Sequence, residues 1–470
     1  MSKNTELAKN TLILTIGKIC TQFLQFFLLP LYTACLSREE YGAADLIITY
    51  TSLFLPLVIL QLDQAVFRFL IDVREDEKVK KVNISTAFYF ILFLIFCASA
   101  IFFIVQFFIN SELKYYLLLN LIAGMCSNTM LQISRGLGDN TTYSIASFLS
   151  AATQIGLNIL LLVVFDFGAP AILVSPVIGN VVAALFVFIK KKLLRYLSVR
   201  DFDKRQLKIL LKYSLPLIPN ALSWWVLGAS DRTIISAYLG MGVNGLVTVA
   251  HKIPSAFQSV YTIFNMSWTE SVSFHINDKE SKKFFTEVVN DMFRLFSCVA
   301  IGITACLPFV YDLLIDNEYK EAEMLVPLFM VASMFNVVQG LYSCIYVALK
   351  RTSDIAKTNI GAAVINIITH ILLIKYRGMY AAPVSTILGY AAMTIYRYFD
   401  IKKYINIPLK LSSIMTVIVF MAVTMISYYH GNKLISAGVL FVVAIYSVIS
   451  NRKFFKSAIS TIMKKMKIGS

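Results

Sequence analysis

Apolar residues lie along this chain in blocks separated by short polar segments. Each block is roughly twenty residues long, the length that a helix needs to cross ~30 Å of hydrocarbon. The pattern predicts an all-α, polytopic membrane protein with about 14 transmembrane helices. The predicted spans are residues 11–35, 43–62, 84–109, 115–134, 141–165, 169–189, 212–233, 243–265, 290–313, 323–347, 357–374, 379–396, 411–429 and 434–450.

Lysine and arginine are distributed unevenly between the segments that join these spans. With the N-terminus placed in the cytoplasm, the cytoplasmic segments carry 33 basic residues and the outer loops carry 7. This bias follows the positive-inside rule and predicts that both termini are cytoplasmic. The formal net charge of +16 is then explained by topology and contact with anionic lipid, without nucleic acid as a partner.

Composition places the function among the helices. The chain is 58% hydrophobic and 15% charged, whereas soluble domains are about half apolar and about a quarter charged. The longest connecting segment, roughly residues 190–211, is charged and predicts an interfacial helix, not a soluble domain. The first apolar run is too long for the core of a signal peptide, so we expect it to remain as a start-transfer helix.

Two pairs of segments resemble each other and indicate an internal repeat. Residues 36–46 align with 239–249 at an offset of 203, matching Gly42 with Gly245, and residues 167–179 align with 377–389 at an offset of 210. Chance similarity between apolar stretches is the alternative. A six-helix repeat predicts two lobes in parallel orientation, related by a pseudo-twofold axis along the membrane normal, with two extra C-terminal helices. The predicted domains are 1–192 (N-lobe), 193–211 (cytoplasmic linker), 212–405 (C-lobe) and 406–470 (the last two helices and a basic cytoplasmic tail).

Two lobes that face each other across a cleft are typical of transporters that work by alternating access. The chain contains no GxxxxGK[ST] motif for nucleotide binding and no cluster with hydrolase or metal-site spacing. We therefore expect neither an enzyme nor a cofactor or metal site.

Three stretches resemble a known family. "LSREEYGAADLIITYTSLFLPLVILQLDQAVFRFL", "YSLPLIPNALSWWVLGASDRTIISAYLG" and the following "TVAHKIP" resemble the polysaccharide-transporter branch of the multidrug/oligosaccharidyl-lipid/polysaccharide exporter superfamily, the bacterial O-antigen and capsule flippases. The resemblance covers about the first 400 residues. It implies an ion-coupled transporter in the bacterial cytoplasmic (inner) membrane. Its cargo would be an undecaprenyl-diphosphate-linked oligosaccharide, moved from the inner to the outer leaflet. The implied partners are that lipid-linked sugar, a proton or sodium ion, membrane lipids and polysaccharide polymerase machinery.

A diphosphate carries negative charge, so its path through the membrane needs basic side chains that offset its desolvation. Lys252 is the strongest candidate, because it lies near mid-depth and matches the position where related lipid flippases carry a basic lumen residue. Lys18 is a second candidate, although a lysine there could instead extend its ammonium to the headgroups. Arg232 and His251 complete the predicted substrate-binding set.

Other polar residues predict ion coupling or gating. Asp231 beside Arg232 is either a lumen pair that breaks during transport or a pair that neutralises itself at the outer interface. Asp63, Arg68 and Glu270 lie near the cytoplasmic ends of helices and are expected to form gate contacts or solvated helix ends. Pro216 and Pro219 predict a hinge, with a kink for packing as the alternative.

Two other functions remain open from sequence. A drug/cation antiporter of the same superfamily would need acidic lumen residues and only twelve helices. A membrane polysaccharide polymerase would usually carry a large outer loop, whereas every predicted outer loop here is short.

Overall fold

The structure, a computed structural model, describes residues 28–108 and 111–452. These residues form helices joined by turns, with no β-strand among them. The α-helices are α1 (Leu29–Cys35), α2 (Arg38–Val58), α3 (Leu62–Asp72), α4 (Glu77–Val105), α5 (Lys114–Gly136), α6 (Asn140–Ile159), α7 (Ala169–Lys190), α8 (Lys204–Ser214), α9 (Ile218–Leu239), α10 (Met241–His275), α11 (Ser281–Leu314), α12 (Val326–Ala348), α13 (Thr352–Arg377), α14 (Ala381–Ile401), α15 (Leu411–His430) and α16 (Lys433–Ser450).

Within the described ranges, ten stretches are long and apolar enough to cross a membrane. One of them, Thr352–Ile401, holds both α13 and α14. The helix α9 overlaps the predicted span 212–233 but is shifted six residues along the chain, and α10 contains the predicted span 243–265 and continues to His275. The predicted all-α membrane fold is confirmed. Most of the first predicted span, together with Lys18, lies outside the described residues.

The helices α2 and α4 begin where side chains cap their free backbone amides. Ser37 and Glu40 form a capping box at the start of α2, in which each side chain accepts a hydrogen bond from the other residue's backbone. Asp76 accepts hydrogen bonds from the amides of Lys78 and Val79 at the start of α4. Polar residues before these two apolar runs therefore define where α2 and α4 start.

By internal contacts the chain divides into two compact units, residues 1–248 and 249–470. The division falls inside α10. The repeat-based domains, with their linker at 193–211, are defined by sequence similarity and stay a prediction.

In the first unit, α5, α6 and α7 pack against one another, and α3 packs against α5 and α8. A buried apolar cluster runs through α3, α4, α5 and α7 and reaches Leu193 and Leu210 of the predicted linker. In the second unit, α12 and α13 pack on α14, and α11 packs on α15 and α16.

The predicted linker is fixed to α4 by side-chain hydrogen bonds. Ser85 Oγ accepts from the amide of Ser198 at 3.1 Å, and Thr86 Oγ1 accepts from the amide of Asp203 at 3.1 Å. Gln206 donates to Asn83 Oδ1 at 2.6 Å. The predicted interfacial helix corresponds to α8, which begins only at Lys204 because the preceding residues use their backbone groups on α4.

The predicted span 379–396 ends one residue before Arg397, so the sequence placed this arginine in the following connecting segment. The helix α14 continues to Ile401, and Arg397 is 0% exposed inside the second unit. Its guanidinium donates to Thr358 Oγ1 at 2.7 Å, to Asn359 Oδ1 at 2.8 Å and to the side chain of Gln339. Burial is tolerated because neutral oxygens on α12 and α13 satisfy its donors.

Asp139 joins the start of α6 to the end of α7. Its carboxylate accepts from the amide of Thr142 at 2.9 Å and forms an ion pair with Lys191. Partial burial raises the pKa of Asp139, but hydrogen bonds from Lys191 and Thr142 outweigh it and lower the pKa from 3.8 to about 2. Since the folded-state pKa is lowered, the carboxylate stabilises the fold above its ordinary pKa and loses this contribution as pH falls through about 2.

We expect Asp139→Ala to reduce the free energy of unfolding by about 1 kcal/mol at pH 7, because the helix loses its cap. The difference from the parent protein should shrink as the pH falls from 4 towards 2. Denaturation of the purified protein across this pH range measures both effects. Asp139→Asn is the control, since it keeps a capping oxygen and removes only the charge. Equal stability of Asp139→Ala and the parent at pH 7 would contradict the assignment.

Candidate functional site

A buried ion pair joins α2 and α9 in the first unit. Asp45, two turns into α2, is 7% exposed. Its Oδ2 atom lies 2.8 Å from Nε of Arg232, and the same oxygen accepts a hydrogen bond from Thr248 Oγ1 at 2.9 Å. The guanidinium also donates through Nη1 to the carbonyl of Gly228 at 3.2 Å. Such a pair has lost most of its hydration, so each charge depends on the other for stabilisation.

A second carboxylate lies beside this pair. Asp231 is 4% exposed, and its Oδ1 accepts from the backbone amide of Arg232 at 2.9 Å. Asp45, Asp231 and Arg232 together carry two negative charges and one positive charge. Intramembrane charges are costly and usually serve function, so this charged cluster (Asp45, Asp231, Arg232 and Thr248) is the candidate site.

Two glycines allow the helix backbones to meet beside the charged cluster. A Cβ atom added at Gly42 of α2 would lie 2.0 Å from the carbonyl oxygen of Met241, and one added at Gly245 of α10 would lie 2.2 Å from that of Arg38. Asn244 Nδ2 donates to the carbonyl of Gly42 at 2.8 Å. Small residues permit such close approach of membrane helices, and here they bring Thr248 within reach of Asp45.

The side chain of Trp225 holds α9 against α2 about one helical turn beyond the ion pair, at Thr49. Its indole Nε1 donates to the carbonyl of Thr49 at 3.0 Å. This hydrogen bond anchors the indole of α9 to the backbone of α2.

The structure brings two of the residues predicted from sequence into the charged cluster and adds Asp45 to them. Arg232 and Asp231 lie in the charged cluster, and Arg232 has an ion pair with Asp45, which the sequence reading did not single out. A signal was present, because the repeat offset of 203 pairs Asp45 with Thr248 and Gly42 with Gly245. Both of these repeat-related pairs are in contact.

Three predicted site residues lie on α10, two in its first half and one near its end. His251 and Lys252 are half-buried, and the His251 ring lies 3.8 Å from the Phe329 ring, centroid to centroid. Glu270 is exposed in the last turns.

The predicted gate residues of α3 differ in burial. Asp63 is 6% exposed and accepts from Gln64 Nε2 at 2.9 Å. Arg68 is exposed and pairs with Asp72 at 2.7 Å, an i,i+4 pair of the kind that contributes little stability. Their gate role stays a prediction.

The two predicted hinge prolines lie where the chain passes from α8 to α9. Pro216 is inside the 3₁₀ turn Leu215–Leu217, and Pro219 is the second residue of α9. Proline fits the first turn of a helix, where no internal partner is needed for its missing amide. The backbone stays in the right-handed helical region from Ser214 to Ile218, so α8 passes into α9 through a single 3₁₀ turn. The hinge role of the two prolines stays a prediction.

The fold resembles two kinds of solved membrane transporter. The lipid II flippase MurJ, in an inward closed conformation, aligns over 96% of this chain and 100% of its own with a TM-score of 0.68 at 17% identity. An inward-facing multidrug resistance MATE family transporter of the MOP superfamily aligns over 83% of this chain and 98% of its own, with a TM-score of 0.66 at 14% identity. An outward-facing transporter of the same family gives 0.60 at 14% identity, over 87% and 96% of the two chains. No curated protein matches the chain.

The chain thus has the all-helical membrane fold seen in MurJ and in MATE family transporters, with charges buried among its helices. Residues 7–269 match the family described as polysaccharide biosynthesis protein. That match covers more than half of the chain, so the protein belongs to this family, as the sequence resemblance predicted. The two kinds of structural neighbour are, by name, a lipid II flippase and multidrug transporters.

Proposed function

We propose that this protein moves an undecaprenyl-diphosphate-linked oligosaccharide from the cytoplasmic to the outer leaflet of the bacterial cytoplasmic membrane, for O-antigen or capsule assembly. Both termini are then cytoplasmic, and polysaccharide polymerase machinery receives the product on the outer side. The observation that carries this proposal is the buried Asp45–Arg232 ion pair in a chain that belongs to a polysaccharide biosynthesis family.

The guanidinium of Arg232 is suited to exchange one anion for another. Arginine donates through two parallel N–H groups to carboxylate and to phosphate oxygens, and both acceptors have similar geometry. A diphosphate oxygen can therefore replace the Asp45 carboxylate on Arg232 without leaving the charge unpaired. Lys252, Lys18 and His251 are proposed as further basic contacts along the path of the diphosphate.

Coupling to an ion follows from this exchange. Once Arg232 is bound to substrate, the buried carboxylate of Asp45 has lost its ion-pair partner. An uncompensated carboxylate in an apolar site takes up a proton or a cation, since its desolvation is otherwise too costly. Binding of a proton or sodium ion and binding of the lipid diphosphate would thus favour each other.

The predicted cytoplasmic groups complete the transport cycle. We assign Asp63, Arg68 and Glu270 to gate contacts at the cytoplasmic side, and Pro216 and Pro219 to a hinge before α9. The gate assignments rest on the predicted location of these residues near cytoplasmic helix ends, and the hinge assignment rests on the location of the prolines between α8 and α9.

A drug/cation antiporter is the second candidate function. The observation that favours it is the net negative charge of Asp45, Asp231 and Arg232 taken together, because an organic cation could replace the guanidinium at Asp45. The structural likeness to MATE family transporters fits this function equally well. The two functions differ in the charge of the substrate that enters the cluster.

Transport by the reconstituted protein distinguishes these functions. In vesicles we expect the parent protein to move a polyprenyl-diphosphate oligosaccharide and to leave cationic dyes in place. Lys252→Ala should slow lipid transport by about tenfold if its ammonium contacts the diphosphate, since a hydrogen bond to a charged group is worth about 1.5–3 kcal/mol.

Lys279→Ala is the matched control, because Lys279 is exposed beyond the end of α10 and lies outside the proposed path. Normal transport by Lys252→Ala would remove that residue from the substrate path. Movement of cationic dyes without any lipid-linked sugar would overturn the proposed function itself.

A further inference from the structure

A groove runs along the outside of the second unit between α13 and α14. Its first section has a volume of about 400 Å³ and is lined by Lys357, Gly361, Ile365 and Ala392, among others. A second section of about 460 Å³ extends towards Phe399 and Lys403. The sections share Ala392 and Tyr396, so they form one continuous groove.

The groove exists because small residues face each other across the two helices. A Cβ atom added at Gly361 would meet no atom within 4 Å, so the space beside this glycine is open. Ala362 and Ala392 leave the neighbouring walls equally shallow. The rim carries the apolar side chains of Ile365 and Ile395, which are 37% and 56% exposed. A channel with these walls fits a hydrocarbon chain.

Basic side chains lie at the end of the groove that is formed by the start of α13 and the end of α14. Lys357 is 78% exposed and lies 3.7 Å from Asp354, which also pairs with Arg351 at 2.6 Å. In the second section of the groove, Lys403 forms an ion pair with Asp400 at 2.8 Å. These two lysines and Arg351 face only two carboxylates.

Arg397 adds a further positive charge behind the groove wall. It donates to Thr358, which itself lines the groove, through Nε at 3.0 Å and Nη2 at 2.7 Å. In the described part of the chain no carboxylate lies within ion-pair distance of this guanidinium. Its neighbours are neutral oxygens, so its charge contributes to the positive field at the groove.

We propose that this groove binds one anionic phospholipid. The phosphate of the headgroup lies at Lys357, and one acyl chain lies along Gly361, Ile365 and Ala392. Basic pockets between membrane helices on the cytoplasmic side bind anionic headgroups in this way, and the bias of basic residues places this end of α13 on that side. A zwitterionic lipid would bind more weakly, because its headgroup cation would be repelled by the basic side chains. Free phosphate would also bind more weakly, because it has no acyl chain to bury in the apolar part of the groove.

Native mass spectrometry of the full-length protein tests the site, with phosphatidylglycerol and phosphatidylcholine as probes. We expect one phosphatidylglycerol to bind in preference to phosphatidylcholine. Lys357→Ala should weaken that binding by about fivefold, the effect of removing one basic residue near a lipid surface. Gly361→Leu should also weaken it, because the new side chain starts from an open position in the groove lining and takes up part of the groove.

Two matched variants serve as controls. Gly302→Leu introduces the same side chain in α11, also with no atom within 4 Å of its Cβ, and Lys282→Ala removes an exposed lysine at the start of α11. Both should bind phosphatidylglycerol as the parent does. Equal binding of the two lipids, unchanged binding by both Lys357→Ala and Gly361→Leu, or full competition by inorganic phosphate would overturn the proposal.

Discussion

Arg232→Ala is expected to reduce transport of the lipid-linked oligosaccharide by more than about tenfold, because it removes the group proposed to bind the diphosphate. The substitution also leaves Asp45 buried without its ion-pair partner, 2.8 Å away in the parent protein. Breaking one side of a buried ion pair costs about 3–5 kcal/mol. The loss of transport alone therefore does not separate binding from folding.

The double variant Asp45→Asn/Arg232→Gln separates them. It replaces Asp45 with its isosteric amide and Arg232 with a shorter neutral amide, which avoids the unpaired charge and should recover much of the lost stability. Transport should nevertheless remain impaired, since no guanidinium is available for phosphate. Thermal unfolding and vesicle transport of the single and double variants measure the two effects independently.

Arg294→Ala is the control for loss of an arginine. Arg294 pairs with Asp291 on the same helix, and both side chains are partly exposed, so little stability depends on them. Full transport by the double variant would show that Arg232 does not bind the substrate.

Gly42→Ala and Gly245→Ala are expected to be the most damaging methyl additions among the described glycines. The added carbon would lie 2.0 Å or 2.2 Å from a carbonyl oxygen of the facing helix, and backbone cannot rotate away as a side chain can. Forcing extra volume into packed helices costs about 1–3 kcal/mol. Thr248 and Asn244 would also be moved away from their acceptors on α2.

Gly156→Ala provides a matched comparison, because a Cβ there meets no atom within 4 Å. Alanine is favoured over glycine inside a helix by about 1 kcal/mol, so this variant should be slightly more stable than the parent. Thermal unfolding of the three variants checks the contrast. Unchanged stability of both Gly42→Ala and Gly245→Ala would show that α2 and α10 do not touch there.

Apolar blocks predicted the membrane helices closely because hydrocarbon thickness and backbone hydrogen bonding leave few other options. The last spans, predicted at 411–429 and 434–450, are helices at Leu411–His430 and Lys433–Ser450. Arg232 and Asp231 were also singled out from sequence, because charge inside an apolar run is unusual.

The partners of those charges were much harder to predict. Asp45 and Arg232 are far apart in the sequence, and their contact depends on how α2 packs against α9. Arg397 was placed in a loop because hydropathy falls at the end of α14, whereas the oxygens that accept its hydrogen bonds lie on α12 and α13. Helix boundaries near charges therefore depend on tertiary acceptors that a one-dimensional pattern does not contain.

The arrangement around Arg397 also has a consequence for biosynthesis. An arginine costs about 2.5–3.5 kcal/mol at the centre of an isolated membrane helix and less towards its ends, and Arg397 lies in the last turns of α14. The acceptors Gln339, Thr358 and Asn359 all precede Arg397 in the chain, so they have left the ribosome before it does. The helix that carries the charge can thus enter the membrane against a surface that already offers oxygens to its guanidinium.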